Sequence, residues 1–480
     1  MNDLAVLDYA SKLINSVSSK KALSASEKLT ECIPEQKNHL IKGEKFVCGF
    51  AGMNIMPDDT ASESYWLAGF KPGNRITGVI DPLTVNAMWL GCGSEGIIFI
   101  SADLIGLTGY DVNQIRGQLD GFCSETGCKG VVVSCTHTHA GIDTVGYWGR
   151  LPASGKNKKF MLLLLSAVKI VCRRAYNSRK TGRLYSGFAN VPDVARDSRE
   201  PLFFDDRLTR LRFVPDDGGT ETWYLNYCAH PNTLGADNSK ISADYPCYIR
   251  KKINETKKTN IMFSIGAAAS ISIKGEYSDE LQKTKKAGCV LGEKALGIDN
   301  DKELAPAILF SQKFYCAPVD NTVLYLMKIL NVVSARVVKS CSSLGVGLLS
   351  ELDYIKIGDF SVLTVPGEIF PELVYPGHYS TKEESSVNDP ESVNPKTLSE
   401  IAGDENIVIF GVTNDMTGYI IPPNDFVLNI QQPYLSTAND RFGRNHYNET
   451  NSLGPNAAYA LAEAFSQQID CINNFLPKGQ

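Results

Sequence analysis

From residue 46 onward the chain alternates short runs of branched and aromatic residues with longer segments whose apolar positions recur every three or four residues. That alternation predicts an α/β protein of layered sheets flanked by helices. GIIFISADLIGL (96–107) reads as a buried strand running into a loop, DVNQIRGQLDGFCSE (111–125) as an amphipathic helix, and GVVVSCTHTH (130–139) as the next strand. Strand, helix, strand in this order is a crossover unit, and ligand sites gather at the carboxyl ends of such strands. Two hairpins follow. One turns on DDGG (216–219) and delivers His230 at its end; the other turns on Gly358-Asp359 and delivers Glu368 where a helix is predicted to begin. A strand in ENIVIFGVTNDMTGYIIP ends near Tyr419, and NSLGPNAAYALAEAFSQQIDCINNF supplies a long final helix.

Residues 1–45 are polar and helix-prone and are expected to form an amino-terminal helical extension ahead of a main domain spanning 46–480. The acidic, Ser- and Pro-containing stretch 381–395 reads as a surface loop or insertion. No internal repeat is evident.

Composition narrows the function classes. A hydrophobic content of 43% and a charged content of 21% are those of an ordinary globular protein. A net charge of -5 argues against a nucleic-acid partner, which needs a concentrated basic surface. Thirteen cysteines, scattered without a C-x-x-C pair, fit reduced thiols better than a disulfide framework. The start MNDLAVLDYASKLINSVSSKK lacks the pattern of a secretory signal. The greasiest run, FMLLLLSAVKIVC (160–172), contains Lys169 and falls short of the ~20 residues of a membrane span. A cytoplasmic chain without a transmembrane segment is expected; its oligomeric state is not legible.

The candidate chemistry begins with VVVSCTHTHAG, where His137 and His139 stand two residues apart in a chain with six histidines. Alternate side chains of an extended segment point the same way, so both imidazoles would face one cavity. A metal site and a pair of hydrogen-bonded core histidines are both compatible with that spacing. His230, Glu368 and Tyr419 each follow a predicted strand as well. Zinc accepts imidazole nitrogen and carboxylate oxygen, whereas tyrosine is an uncommon ligand. The Gly-rich aromatic stretch DTVGYWGR (143–150) is expected to form a pocket lip or a packed turn. Asp244 reads as a helix N-cap or an acceptor behind His230.

VVVSCTHTHAG, YCAHPNTLG, VPGEIF and TNDMTGYI, in that order and spacing, resemble the neutral/alkaline ceramidase family, with support from GNRITGVIDPLTVNAMWL, ISADLIGL and HYNETNSLGP. The resemblance runs from about Phe46 to the final helix. It implies a ceramidase-type catalytic domain and an amidohydrolase holding Zn2+ through His137, His230, Glu368 and Tyr419. It further implies that His139 contacts the substrate, that an arginine near VPDVARDSREP binds it, with Arg196 preferred to Arg199, and that Tyr447 lies near the reacting carbonyl. The departures are as informative. In GAAASISI, Ala269 and Ser270 replace the family's Gly-Asp, Ser272 aligns with its catalytic serine, and Ile273 replaces proline. The family's carboxy-terminal β-sandwich domain is not expected here. The reading is a zinc-dependent hydrolase of a small-molecule linear amide with an apolar acyl chain, linked to lipid metabolism. The alternative is a metal- or small-molecule-binding relative with lost or altered catalysis.

Overall fold

The computed structural model describes residues 32–60, 64–275, 279–340, 342–377, 386 and 393–476. Two sheets form the middle of the molecule. The larger has nine strands, in the order Thr259–Ile265, Glu221–Tyr227, Arg207–Pro215, Lys180–Asn190, Phe46–Asn54, Thr84–Cys92, Glu95–Ala102 and Cys128–Cys135, with Lys302–Glu303 paired onto Lys180–Asn190. The smaller has six, in the order Lys37–Lys42, Ala307–Pro318, Val346–Ile357, Phe360–Thr364 and Val408–Phe410, with Val337–Lys339 attached to Val346–Ile357.

Period-2 side-chain alternation explains how the sheets stack. In Glu95–Ala102, Ile98 and Ile100 join a core shared with the helices Gly109–Thr126, Lys158–Asn177, Asp244–Thr256 and Glu280–Leu296. Ile97 and Phe99 point the other way, into a core with Phe310, Ile355, Val362 and Phe410 of the smaller sheet. The outer face of that sheet uses Leu309, Leu352 and Leu363 to meet the final helix, Asn456–Phe475, at Leu461 and Phe465. The order is therefore helices, sheet, sheet, helices. Strands buried on both faces must be apolar at nearly every position, which is why IIFI and VVV show no alternation in the sequence.

The predicted crossover and both hairpins are present. Glu95–Ala102 pairs in parallel with Cys128–Cys135 through the helix Gly109–Thr126, whose first turn carries a Thr108/Asp111 capping box and whose last residue is followed by Gly127 at φ 69°. Two expectations change. The chain after Glu368 forms only a short 3-10 turn, Pro371–Leu373, because Pro376-Gly377 follows within a turn. The end of the expected amino-terminal extension contains a strand, Lys37–Lys42, paired antiparallel with Ala307–Gln312. Residues 1–31 of that extension, and most of the 381–395 stretch, lie outside the described residues.

Candidate active site

Four chain segments leave the sheets at the same end and turn inward. The first follows Cys135. His137 does not continue the strand, contrary to the period-2 expectation: its φ is 65°, in the left-handed region. Its backbone N–H donates to Leu104 O at 2.9 Å, and the His139 N–H donates to Pro231 O at 2.9 Å. The two rings still meet, with their Nε2 atoms 3.3 Å apart. The turn, not an extended backbone, brings them together.

The second segment follows Glu221–Tyr227 and carries His230, whose backbone N–H and Nδ1 both donate to Ile271 O at 2.9 Å. The third and fourth form a two-residue parallel ribbon in which Glu368 is in register with Tyr419 and Ile369 with Ile420. This pairing carries a tyrosine to the cluster. No periodicity in the sequence announces it.

The geometry of the cluster is tight. Glu368 Oε2 lies 2.8 Å from His230 Nε2 and 3.3 Å from His137 Nε2. His137 Nδ1 lies 2.6 Å from Ile105 O. A carbonyl only accepts, so Nδ1 carries the hydrogen in both His137 and His230, and each Nε2 turns a lone pair toward the carboxylate. Lone pairs that close need an electrophile between them, either a proton or a metal ion. Burial pushes the Glu368 carboxyl up, but His137 and His230 outweigh it and hold it well below the usual carboxylate range. Burial works against charge on His137 too, yet Glu368 raises its pKa overall. His139 behaves oppositely: burial and the neighbouring His137 and His230 keep it well below the usual imidazole value. The ligand atoms of His137, His139 and His230 lie within 4.8 Å of one another, a spacing that suits a metal ion.

Tyr419 is buried, and burial, Glu368 and Tyr447 together hold its phenol well above its usual pKa. Tyr447 stands edge-on to it at 6.2 Å between ring centres, with 46% of its own surface exposed. Burial of its hydroxyl and the Glu368 charge raise its pKa as well.

The cluster opens into a cavity of about 270 Å³ walled by His137, His139, Glu368 and Tyr419 on one side, with Val145, Tyr147 and Trp148 of the aromatic stretch also in its wall. Asp143 holds that stretch by accepting backbone N–H bonds from Val145, Gly146 and Trp148 at 3.0, 2.7 and 2.9 Å. Phe70 packs edge-on against His139, 5.1 Å between ring centres.

Arg196 and Ser272 are not brought to this cavity. They face each other on the small ribbon Ala195–Asp197 with Ile271–Ile273, Arg196 is exposed, and neither is in the cavity wall. Arg199 is the buried arginine, and it has a structural post: it pairs with Asp425 at 2.6 Å and Glu449 at 2.7 Å and bonds Asn448 at 2.9 Å. It thereby braces the turn that bears Tyr447. Ala269 is fully buried against Phe370 and Tyr419, and Ser270 Oγ donates to Asp197 Oδ1 at 2.7 Å. Asp244 opens the helix Asp244–Thr256 and accepts from Thr233 Oγ1 at 2.7 Å, which fixes the loop after His230. The sequence reading missed Phe70 and the short helix Thr322–Ile329 in the cavity wall. For the helix, the available signal was TVLYLMKI, an apolar segment with a single cation.

Layered sheets with an imidazole and carboxylate cluster buried at their strand ends define an α/β protein whose cluster could hold a metal ion. Among solved structures, that architecture has a name here: the chain has a neutral ceramidase-like fold. It is similar to neutral ceramidase from Pseudomonas aeruginosa, with a TM-score of 0.65, 14% identity, and coverage of 90% of this chain and 75% of that one. It is likewise similar to a ceramidase complexed with C2, with a TM-score of 0.66, 14% identity, and coverage of 91% and 76%. No family model and no curated protein matches the sequence.

Proposed function

We propose that the protein is a zinc-dependent hydrolase of a linear amide, acting on a small-molecule N-acyl compound. The observation that carries the reading is the contact of one carboxylate oxygen with two imidazole Nε2 atoms whose Nδ1 atoms are locked to backbone carbonyls. Metal-ligating histidines characteristically donate their second nitrogen in this way. The donor set fits zinc: two imidazole nitrogens, a carboxylate oxygen and a phenol beside them. In this proposal His137, His230, Glu368 and Tyr419 would hold the ion. His139 is different, because Glu368 contacts His137 and His230 while His139 stands at the cavity wall with its Nε2 3.3 Å from that of His137.

A bound zinc ion supplies Lewis acidity toward a carbonyl oxygen and toward water. The chain's own groups do the rest. His139, held neutral, offers one N–H and one lone pair within the cavity, which suits it to hydrogen-bond a developing oxyanion or to hold a proton at nitrogen. Tyr447 keeps its phenolic proton in the neutral range and can donate it as a hydrogen bond. The apolar wall excludes water from the acyl portion. Arg196 and Ser272 receive no chemical role in this proposal.

Elemental analysis of protein purified without added metal, together with hydrolysis of a panel of N-acyl compounds, tests it. The expected result is one zinc per chain and turnover reduced at least about 100-fold in His137→Ala and Glu368→Ala. Folded protein with no stoichiometric metal would sink the zinc site. Zinc-loaded protein that cleaves no member of the panel would leave only a metal-binding relative without turnover.

A further inference from the structure

Among the described residues, the cavity wall carries one lysine or arginine. Lys328 lies on the helix Thr322–Ile329 with Leu324 and Tyr325, and all three line the cavity. Residues three and four apart share one face of a helix, so Tyr325 and Lys328 stand side by side there. Among the described residues Lys328 has no ion-pair partner, and the Tyr325 hydroxyl makes no hydrogen bond. Among the described residues Glu368 is the only acidic one in the wall, and its charge is already met by His137 and His230. The rest of the wall is chiefly aliphatic and aromatic.

An ammonium in an apolar wall loses hydration and regains it only by reaching water or a counter-charge. Lys328 is half-buried, not fully exposed, and stands beside an unused phenol donor. At the reduced dielectric of such a cavity an opposite charge is held more strongly than at a free surface. Ligand pockets commonly combine an apolar wall with a few polar groups that fix orientation. Here those groups are a donor-only ammonium and a phenol. Their match is an acceptor-only anion.

We propose that Lys328 and Tyr325 form an anion subsite and that the substrate is an anionic amide, carrying a carboxylate separated by an apolar spacer from the bond to be cleaved. This rests on the amidase reading for what the other end of the cavity does, but the subsite can be tested by binding alone. The proton NMR spectrum of N-acetyl-6-aminohexanoate reports both its binding and any release of acetate. Its uncharged N-methylamide is the matched control, and Lys328→Met keeps the stem while removing the charge.

The wild-type protein is expected to bind the carboxylate at least tenfold more tightly than the N-methylamide. Lys328→Met removes that preference, Lys328→Arg retains most of it, and Tyr325→Phe reduces it. Equal binding of the two probes, or a preference that survives Lys328→Met, overturns the subsite whether or not acetate is released. A Lys328-dependent preference without acetate release supports the subsite and counts against the amidase reading. Unchanged binding of the N-methylamide to Lys328→Met shows that this variant remains folded.

Discussion

Gly69 shows how little room the candidate site leaves. Its φ is +116°, and a β-carbon there would lie 2.5 Å from His139 Cβ. Gly69→Ala is expected to displace the His139 ring, costing about 1–3 kcal/mol in unfolding free energy and lowering turnover of any cleaved amide more than its binding. Equal urea midpoints for the two proteins would contradict this. Asp415 offers a second test away from the cluster. It accepts from Gly109 N at 2.6 Å, Met416 N at 2.8 Å and Ser350 Oγ at 2.9 Å, and burial pushes its carboxyl up to about 6. The native state then keeps a proton that the unfolded chain releases near pH ~4. The stabilising contribution is full below that pH and is lost as pH rises through about 6. Relative to Asp415→Asn, the wild type should therefore lose on the order of 3 kcal/mol between pH 4 and 7.5, read from paired denaturant titrations. His137, His230 and Glu368 could be singled out because each follows a predicted strand, whereas Tyr419 was pointed to by the family resemblance and by no pattern in the sequence. The left-handed turn at His137 was not legible, since a single backbone dihedral leaves no periodic trace.

At the level of elements, the aromatic stretch 143–150 depends on one carboxylate. Asp143 is buried and satisfies the backbone donors of Val145, Gly146 and Trp148, and a β-carbon on Gly155 would lie 2.1 Å from its Oδ2. Asp143→Asn replaces one acceptor by a donor facing an N–H. The expected cost is about 1–3 kcal/mol, with faster amide exchange at Trp148 and weaker binding of any cavity ligand; unchanged exchange at Trp148 would refute the bracing role. Strands and long helices were readable because their patterns are strong: the DDGG hairpin, the Gly358-Asp359 hairpin and the final helix all form as expected. Lys37–Lys42 was not, because an edge strand of polar residues has the composition of a loop and is defined by its partner. The two-residue ribbon Glu368–Ile369 with Tyr419–Ile420 is likewise set by tertiary contacts.

At the level of the whole molecule, the candidate ligands come from both sheets. His137 and His230 extend from strands of the larger, Glu368 and Tyr419 from strands of the smaller. Stacking order was not legible, since strands greasy on both faces do not say which layer lies on which side. The arrangement makes a kinetic prediction. If the cluster holds zinc, free ion at about 100 times Kd should raise stability by about 2.7 kcal/mol. That gain should appear as slower unfolding with little change in refolding rate, because the ligands converge only when the sheets have docked. Stopped-flow traces in which zinc accelerates refolding would contradict it.

His230 and Glu368 are separated by 138 positions along the chain. On a ribosome, the two imidazoles of the proposed zinc site, His137 and His230, emerge well before the carboxylate and the phenol that would complete it. If the cluster holds zinc, loading would thus follow finished synthesis, because a chain truncated before Tyr419 would lack part of the proposed donor set.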